Sequence, residues 1–244
     1  MKNISIIFSR ELLSYFSTPI AYVFLVIFLL LSGSFTFYMG NFFERGQADL
    51  LPFFGFHPWL YLFLVPAISM KLWAEERKSG TIELILTLPV KVVEVVIGKY
   101  LAAWFFIALA LFLTFPIWIT VNYLGSPDNG AILSGYLGSL LMSGGFLAIG
   151  SCMSSVTQNQ VIAFIISVVA CFLFLLSGTN LVLDFFNAWL PQEAVDAIAS
   201  LSFLSHFTSL SKGVIDIRDF IYYFSLIGVF LYINIELVNI KKGG

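Results

Sequence analysis

Residues 129–183 run for 55 positions without one Asp, Glu, Lys or Arg. The stretches 12–43, 50–70 and 100–127 are equally free of charge, and 220–235 is a shorter run that Leu237, Val238 and Ile240 extend. A helix crosses the hydrocarbon core of a bilayer with about 20 apolar residues, so each of the long runs can span. The 55-residue run is too long for one helix and divides at the polar turn Ser154, Ser155, Thr157, Gln158, Asn159 and Gln160. The expectation is an all-α integral membrane domain, 1–244, with six transmembrane helices near 19–42, 52–74, 97–123, 132–154, 161–183 and 219–240. A membrane β-barrel does not fit, because barrel strands alternate polar and apolar residues over about ten positions.

Composition excludes the main alternatives. The chain is 59% hydrophobic and 11% charged, against about 25% charged in a soluble domain. A soluble fold would expose large apolar patches, and a disordered chain would be polar. Twelve basic residues face fourteen acidic ones, which gives no positive field for nucleic acid. No signal peptide is expected. Residues 1–18 read as an amphipathic interface helix, with Ile4, Ile7, Phe8, Leu12, Tyr15 and Phe16 near helical spacing before Pro19 opens the first span. Placing both termini in the cytoplasm puts nine Lys and Arg inside against Arg45, Lys212 and Arg218 outside, as the positive-inside rule requires.

Few residues carry chemistry. Cys152 and Cys171 lie in apolar context and read as packing residues. No Cys, His and carboxylate cluster has metal-ligand spacing, and no phosphate-binding loop or nucleophile elbow is present. An intramembrane enzyme is a minor alternative: His57 and His206 are both expected near the outer face, and nothing orients a nucleophile and base there. Each lone histidine reads as a satisfied interfacial residue. No charge is expected deep inside a span, which argues against a self-powered ion carrier. The expectation is no catalytic residue, no metal and no cofactor bound by this chain.

The segment 71–99, KLWAEERKSGTIELILTLPVKVVEVVIGK, holds nine of the 26 charged residues in one inner loop. Glu75, Glu76, Arg77 and Lys78 end the second span, Gly80 permits a sharp turn, and Thr81 reads as an N-cap with Glu83 in the first turn. Ile82, Leu84, Ile85, Leu86 and Leu88 then form a short apolar helix that Pro89 stops. Such a helix needs a place to bury its face, either the lipid surface or a groove in a soluble partner.

The run AEERKSGTIELILTLPV, 74–90, with Gly98 and Lys99 opening the third span, resembles the signature of ABC-2-type transporter permeases. HPWLYLFLVPAISMKLWAEE, AIGSCMSSVTQNQVIAF and SHFTSLSKGVIDIRDFIYYFSLIGVFLY are similar to the gliding-motility-associated GldF subgroup and its relatives in non-gliding bacteria. The resemblance implies a non-catalytic permease subunit of the bacterial inner membrane. It implies two copies of a separate ABC ATPase, which bind ATP and Mg, and a second permease copy or paralogue. A membrane-anchored GldG-like periplasmic subunit is a further implied partner. The helix near 80–89 would then be the coupling helix, with Glu75, Glu76, Arg77, Gly80, Thr81, Glu83, Leu84, Leu86 and Pro89 coupling the ATPase to export. A mechanotransmitting subunit that moves no substrate is the alternative.

Between Asp184 and Asp219 the chain is too polar to span and too apolar for a free loop. Val195, Ile198, Leu201 and Leu204 recur at helical spacing, predicting a short amphipathic helix at the outer interface or a re-entrant pair. Similar outer helices in ABC-2 permeases would close an outer gate, with His206, Asp216, Arg218 and Asp219 as gate or partner contacts. From the residues alone, Asp216 or Asp219 caps the last helix. Ala163, Ser167 and Ala170 form a small face for helix packing, and the resemblance favours the first and fifth spans for the dimer seam.

Overall fold

The computed structural model describes residues 2–82 and 90–240, and among them it contains helices and no strand. An amphipathic helix, α1 (Lys2–Ser17), precedes α2 (Pro19–Ser34), whose last turn widens into a π-helical turn, Phe35–Met39. Then follow α3 (Leu51–Ser69), α4 (Lys71–Ser79), α5 (Val92–Phe112), α6 (Phe115–Leu124), α7 (Asn129–Val156) and α8 (Gln160–Leu176). Three short helices, α9 (Asn180–Asn187), α10 (Gln192–Ser200) and α11 (Phe203–Ser211), lead into α12 (Ile217–Ile240).

Five rods are long and apolar enough to cross a membrane: Ala21–Met39, Leu51–Ser79, Val92–Leu124, Asn129–Val156 and Ile217–Ile240. The expected fifth span, 161–183, is not one straight helix. It is α8 and α9, bent by 79° at the intervening break, where Ser177, Gly178 and Thr179 interrupt the apolar run. The third rod is also interrupted. Pro116 sits in the first turn of α6, and the Thr114 hydroxyl donates to the Leu111 carbonyl at 2.6 Å, satisfying the end of α5.

Helix α7 is the hub. In its most apolar window 78% of residues are buried, against 22% in the first rod, so the other helices wrap around it and turn their outer faces away from the protein. Its glycines make this possible. A Cβ at Gly150 would fall 2.0 Å from Ser69 Oγ of α3, and one at Gly145 would fall 2.6 Å from the Phe203 ring. Helices meet this closely in a membrane where small residues let them. Ala163 and Ser167 are buried in the same core, so the small face of α8 packs within the subunit and leaves Val161, Ile165, Val169 and Leu173 exposed.

The apolar face of α1 is largely covered by protein. Ile7 lies over Gly98, Phe8 meets Phe105 edge-on at 5.7 Å, and Tyr15 stacks on Phe106 at 5.3 Å. Asn3 donates to the Glu94 carboxylate at 3.0 Å. Ile6 and Leu13 remain exposed beside this seam.

The region after α8 holds short helices before the last span, as expected, but Val195, Ile198, Leu201 and Leu204 do not share one helix. Helix α10 ends at Ser200, and Ser202 starts the next one by accepting the Ser205 N–H on its side chain. Phe203, Phe207 and Leu210 of α11 are buried in the bundle, so α11 is a re-entrant helix seated on α7.

Candidate functional site

Glu76 and Arg77, near the end of the second rod, sit in a clamp at the α1 end of the bundle. Proline cannot extend α3 without loss, and Pro58 and Pro66 both lie inside it. The rod opens one turn later, at Met70, and α7 fills the opening. Ser154 Oγ donates to the Met70 carbonyl at 2.9 Å and accepts from the N–H groups of Trp73 and Ala74 at 3.2 and 3.1 Å. A hydroxyl inserted into the backbone ladder is a recognised cause of a kink. Here it satisfies both sides of the broken turn, so α4 leaves α3 in a fixed direction.

Further contacts hold α4. Trp73 is buried, and its indole N–H donates to Ser151 Oγ at 3.3 Å. The same oxygen accepts from Asn234 of α12 at 2.7 Å. Arg77 donates to the Ser155 carbonyl at 2.7 Å. On the other side, Lys99 of α5 is buried, with Nζ 2.7 Å from Glu76 Oε1, 3.3 Å from Glu11 Oε1 and 5.4 Å from the centre of the Trp73 ring. Arg10 completes the group, 2.6 Å from Glu11. Burial works to raise the Glu11 pKa, but Lys99 and Arg10 outweigh it and hold the carboxyl below its ordinary value. A buried cation shared by two carboxylates is in the form in which a desolvated charge is tolerated.

Gly80 ends α4 in the left-handed region, with φ +73°, a conformation that a Cβ disfavours. The Thr81 hydroxyl reaches back, 2.9 Å from Ser79 Oγ and 3.4 Å from the Glu76 carbonyl. Of the expected coupling residues, Glu76 and Arg77 lie in the clamp, Gly80 and Thr81 at its exit, and Glu75 is exposed on the same helix. Glu83, Leu84, Leu86 and Pro89 lie outside the described residues. Sequence reasoning missed Lys99, Glu11, Trp73 and Ser154 as members of this group. Glycine and lysine at 98–99 were the available signal, because a lysine that follows the first turn of an apolar helix needs a buried partner.

The four residues expected at the opposite end separate. Asp216 is the cap, accepting the Arg218 N–H at 2.9 Å, and Arg218 is exposed. Asp219 is no cap. It is buried, with Oδ1 2.6 Å from His206 Nδ1. His206 Nε2 lies 3.0 Å from the Ser200 carbonyl, and Tyr222 stacks on the ring at 4.0 Å while donating to the Leu201 carbonyl at 2.6 Å. His206 therefore ties α10 and α11 to the start of α12. His57 is also displaced from its expected interfacial place. It is fully buried among Phe28, Phe53, Phe54 and Tyr61, hydrogen-bonded through Nδ1 to Ser139. It is four residues short of Tyr61 on the inner face of α3, which α7 covers. No group of His, Cys, Asp and Glu among the described residues could hold a metal ion.

The clamp thus grips a charged helix end on an apolar helical bundle. A family model described as ABC-2 family transporter protein matches residues 32–238. The chain belongs to that family. It is a multi-pass membrane protein and a transmembrane permease subunit of an ABC transporter, and family membership implies an ABC ATPase as its partner. Membrane subunits of this kind are typically non-catalytic. No curated protein matches the chain.

Proposed function

We propose that the α4 clamp is the element through which a separate ATPase moves this permease. The α1 end then faces the cytoplasm of a bacterial inner membrane, in keeping with the excess of Lys and Arg there. ATP and Mg belong to the ATPase, and one ATPase docks beneath each of two permease copies. The segment after Gly80, with Glu83, Leu84, Leu86 and Pro89, is the coupling helix that the ATPase cleft receives. Glu75, Glu76, Arg77 and Thr81 stand at its root.

The observation that carries this reading is the grip on α4. Ser154, Ser155 and Ser151 of α7 and Lys99 of α5 bear on it directly, and Glu11 of α1 bears on it through Lys99. A push on α4 is therefore delivered to the hub and to two neighbouring helices as a rigid-body displacement, the usual form of such transitions. The exposed faces Tyr22, Val26 and Leu30 of α2 and Val161, Ile165 and Val169 of α8 are the proposed seam between permease copies. Assignment to the GldF-like subgroup is part of the same proposal.

The decisive test is the double substitution Leu84→Asp and Leu86→Asp. It is expected to abolish recovery of the ATPase with the tagged permease and to abolish transport-linked ATP hydrolysis, while the permease itself stays folded. Full function and unchanged ATPase recovery would refute the coupling helix.

A second reading, a subunit that moves a periplasmic partner and no substrate, draws on the exposed residues Leu181 and Phe185 of α9 and Trp189 in the turn that follows it. Such exposed apolar residues suit a GldG-like membrane-anchored partner. Transport that persists after deletion of that partner excludes the purely mechanical reading.

A further inference from the structure

Beside the clamp lies a cavity of about 890 Å³, walled by α1, α2, α3, α4 and α5. That volume is in the upper part of the range of ligand pockets, about 300–1,000 Å³. Its lining divides by chemistry. Phe24, Ile27, Leu64, Ile68 and Phe106 form an apolar wall, whereas Arg10, Glu11, Lys71, Glu75, Glu76 and Lys99 form a charged one. The charged wall is balanced, with three cations and three anions.

Four of those six charges are already committed to one another in the clamp. Lys71 and Glu75 are not. They stand one turn apart on α4, and neither side chain has a hydrogen-bond or ion-pair partner among the described residues. A free ammonium and a free carboxylate at the edge of an apolar chamber complement a molecule that carries an anion, a cation and an apolar tail. An amphiphile of single charge would satisfy one of the pair and be repelled by the other. The charged wall also lies level with α1, an amphipathic helix at the end of the bundle, which is the depth at which lipid headgroups sit.

We propose that this cavity binds one zwitterionic phospholipid drawn from the leaflet on the α1 side. Its phosphate meets Lys71, its ammonium meets Glu75, and its acyl chains lie along Phe24, Ile27, Leu64 and Ile68. Binding needs neither ATP nor a partner subunit, so it stands or falls separately from ATPase coupling.

The test is native mass spectrometry of the full chain released from bilayers of equal parts phosphatidylethanolamine and phosphatidylglycerol with matched acyl chains. The expected result is one retained lipid per chain, with a preference for phosphatidylethanolamine of about tenfold, as one charge-assisted contact provides. Glu75→Gln is expected to bring that preference close to one while lipid is still retained. Ile27→Trp, which fills the apolar chamber, is expected to remove retention of both lipids from a chain whose unfolding temperature and elution are unchanged. Equal retention of the two lipids by the unaltered chain would overturn the proposal. So would retention that survives Ile27→Trp, since the lipid would then sit elsewhere. Competition by free phosphoethanolamine as effective as that by the whole lipid would show a soluble zwitterion site and overturn the lipid assignment.

Discussion

Lys99 Nζ stands 2.7 Å from Glu76 Oε1, joining the start of α5 to the last turns of α4 across a buried contact. The same ammonium reaches Glu11 of α1, so one cation bridges two carboxylates that would otherwise repel each other, and Arg10 supplies the second positive charge. Lys99→Met is therefore expected to lower stability by about 3 kcal/mol, the low end for breaking a buried pair. Adding Glu76→Gln to Lys99→Met should recover part of that loss, and a double-mutant cycle from thermal unfolding checks it. ATP hydrolysis that responds normally to the permease in Lys99→Met would count against the clamp as the coupling element.

Acid should act on the same group through Glu11. Its folded pKa lies below the ordinary 4.5, so the folded state binds this proton less readily than the unfolded chain. The resulting stability is fully present above the unfolded value and is lost as pH falls through the folded one. Unfolding midpoints measured from pH 7 downward should therefore drop more steeply below about pH 5 in the unaltered chain than in Glu11→Gln.

Ser154 serves three backbone groups of the opened turn at Met70. Ser154→Ala leaves buried polar groups without their partner and is expected to cost about 2 kcal/mol. Hydrogen exchange at Trp73 and Ala74 should rise in this variant, and a protection pattern identical to that of the unaltered chain would refute the role.

Gly80 tests the exit from the clamp. Its φ is +73° and, among the described residues, a Cβ there would meet nothing within 4 Å, so the expected cost of substitution comes from the backbone. Gly80→Val is expected to destabilise by about 1–2 kcal/mol, and Gly80→Asn by clearly less, because Asn tolerates the left-handed region. Equal effects of the two would show that steric crowding, not backbone conformation, sets the cost.

At the other end, Asp219→Ala removes the partner of His206 Nδ1 and should release α10 and α11 from α12. Limited proteolysis near residues 200–212 is the readout, with faster cleavage expected and the unfolding of α7 unaffected. The Tyr222 hydroxyl still holds Leu201 in this variant, so a second substitution, Tyr222→Phe, should add to the effect.

The number and order of the apolar helices were legible in the sequence, because a bilayer accepts only charge-free runs of sufficient length and those runs are printed in the residue order. The resemblance around Glu76, Gly80 and Thr81 was legible for the same reason: a local block of chain carries it. The bend after Leu176 was less legible, since Ser177, Gly178 and Thr179 are each tolerated inside a span. Their effect depends on what packs beside them.

Pairings between distant residues were set by the tertiary structure. Asp216 and Asp219 were equal candidates for the helix cap, because a carboxylate near a helix start lowers the energy locally, and Asp216 takes that place. His206, thirteen residues away, claims Asp219 once α11 folds back onto α7. Glu11, Glu76 and Lys99 lie in three separate stretches of chain, and only the crossing of α1, α4 and α5 brings them together. Hydropathy is a property of each segment and survives without its neighbours. The partner of a buried charge is decided by the packing of helices around α7, where every polar group taken from water has to find another.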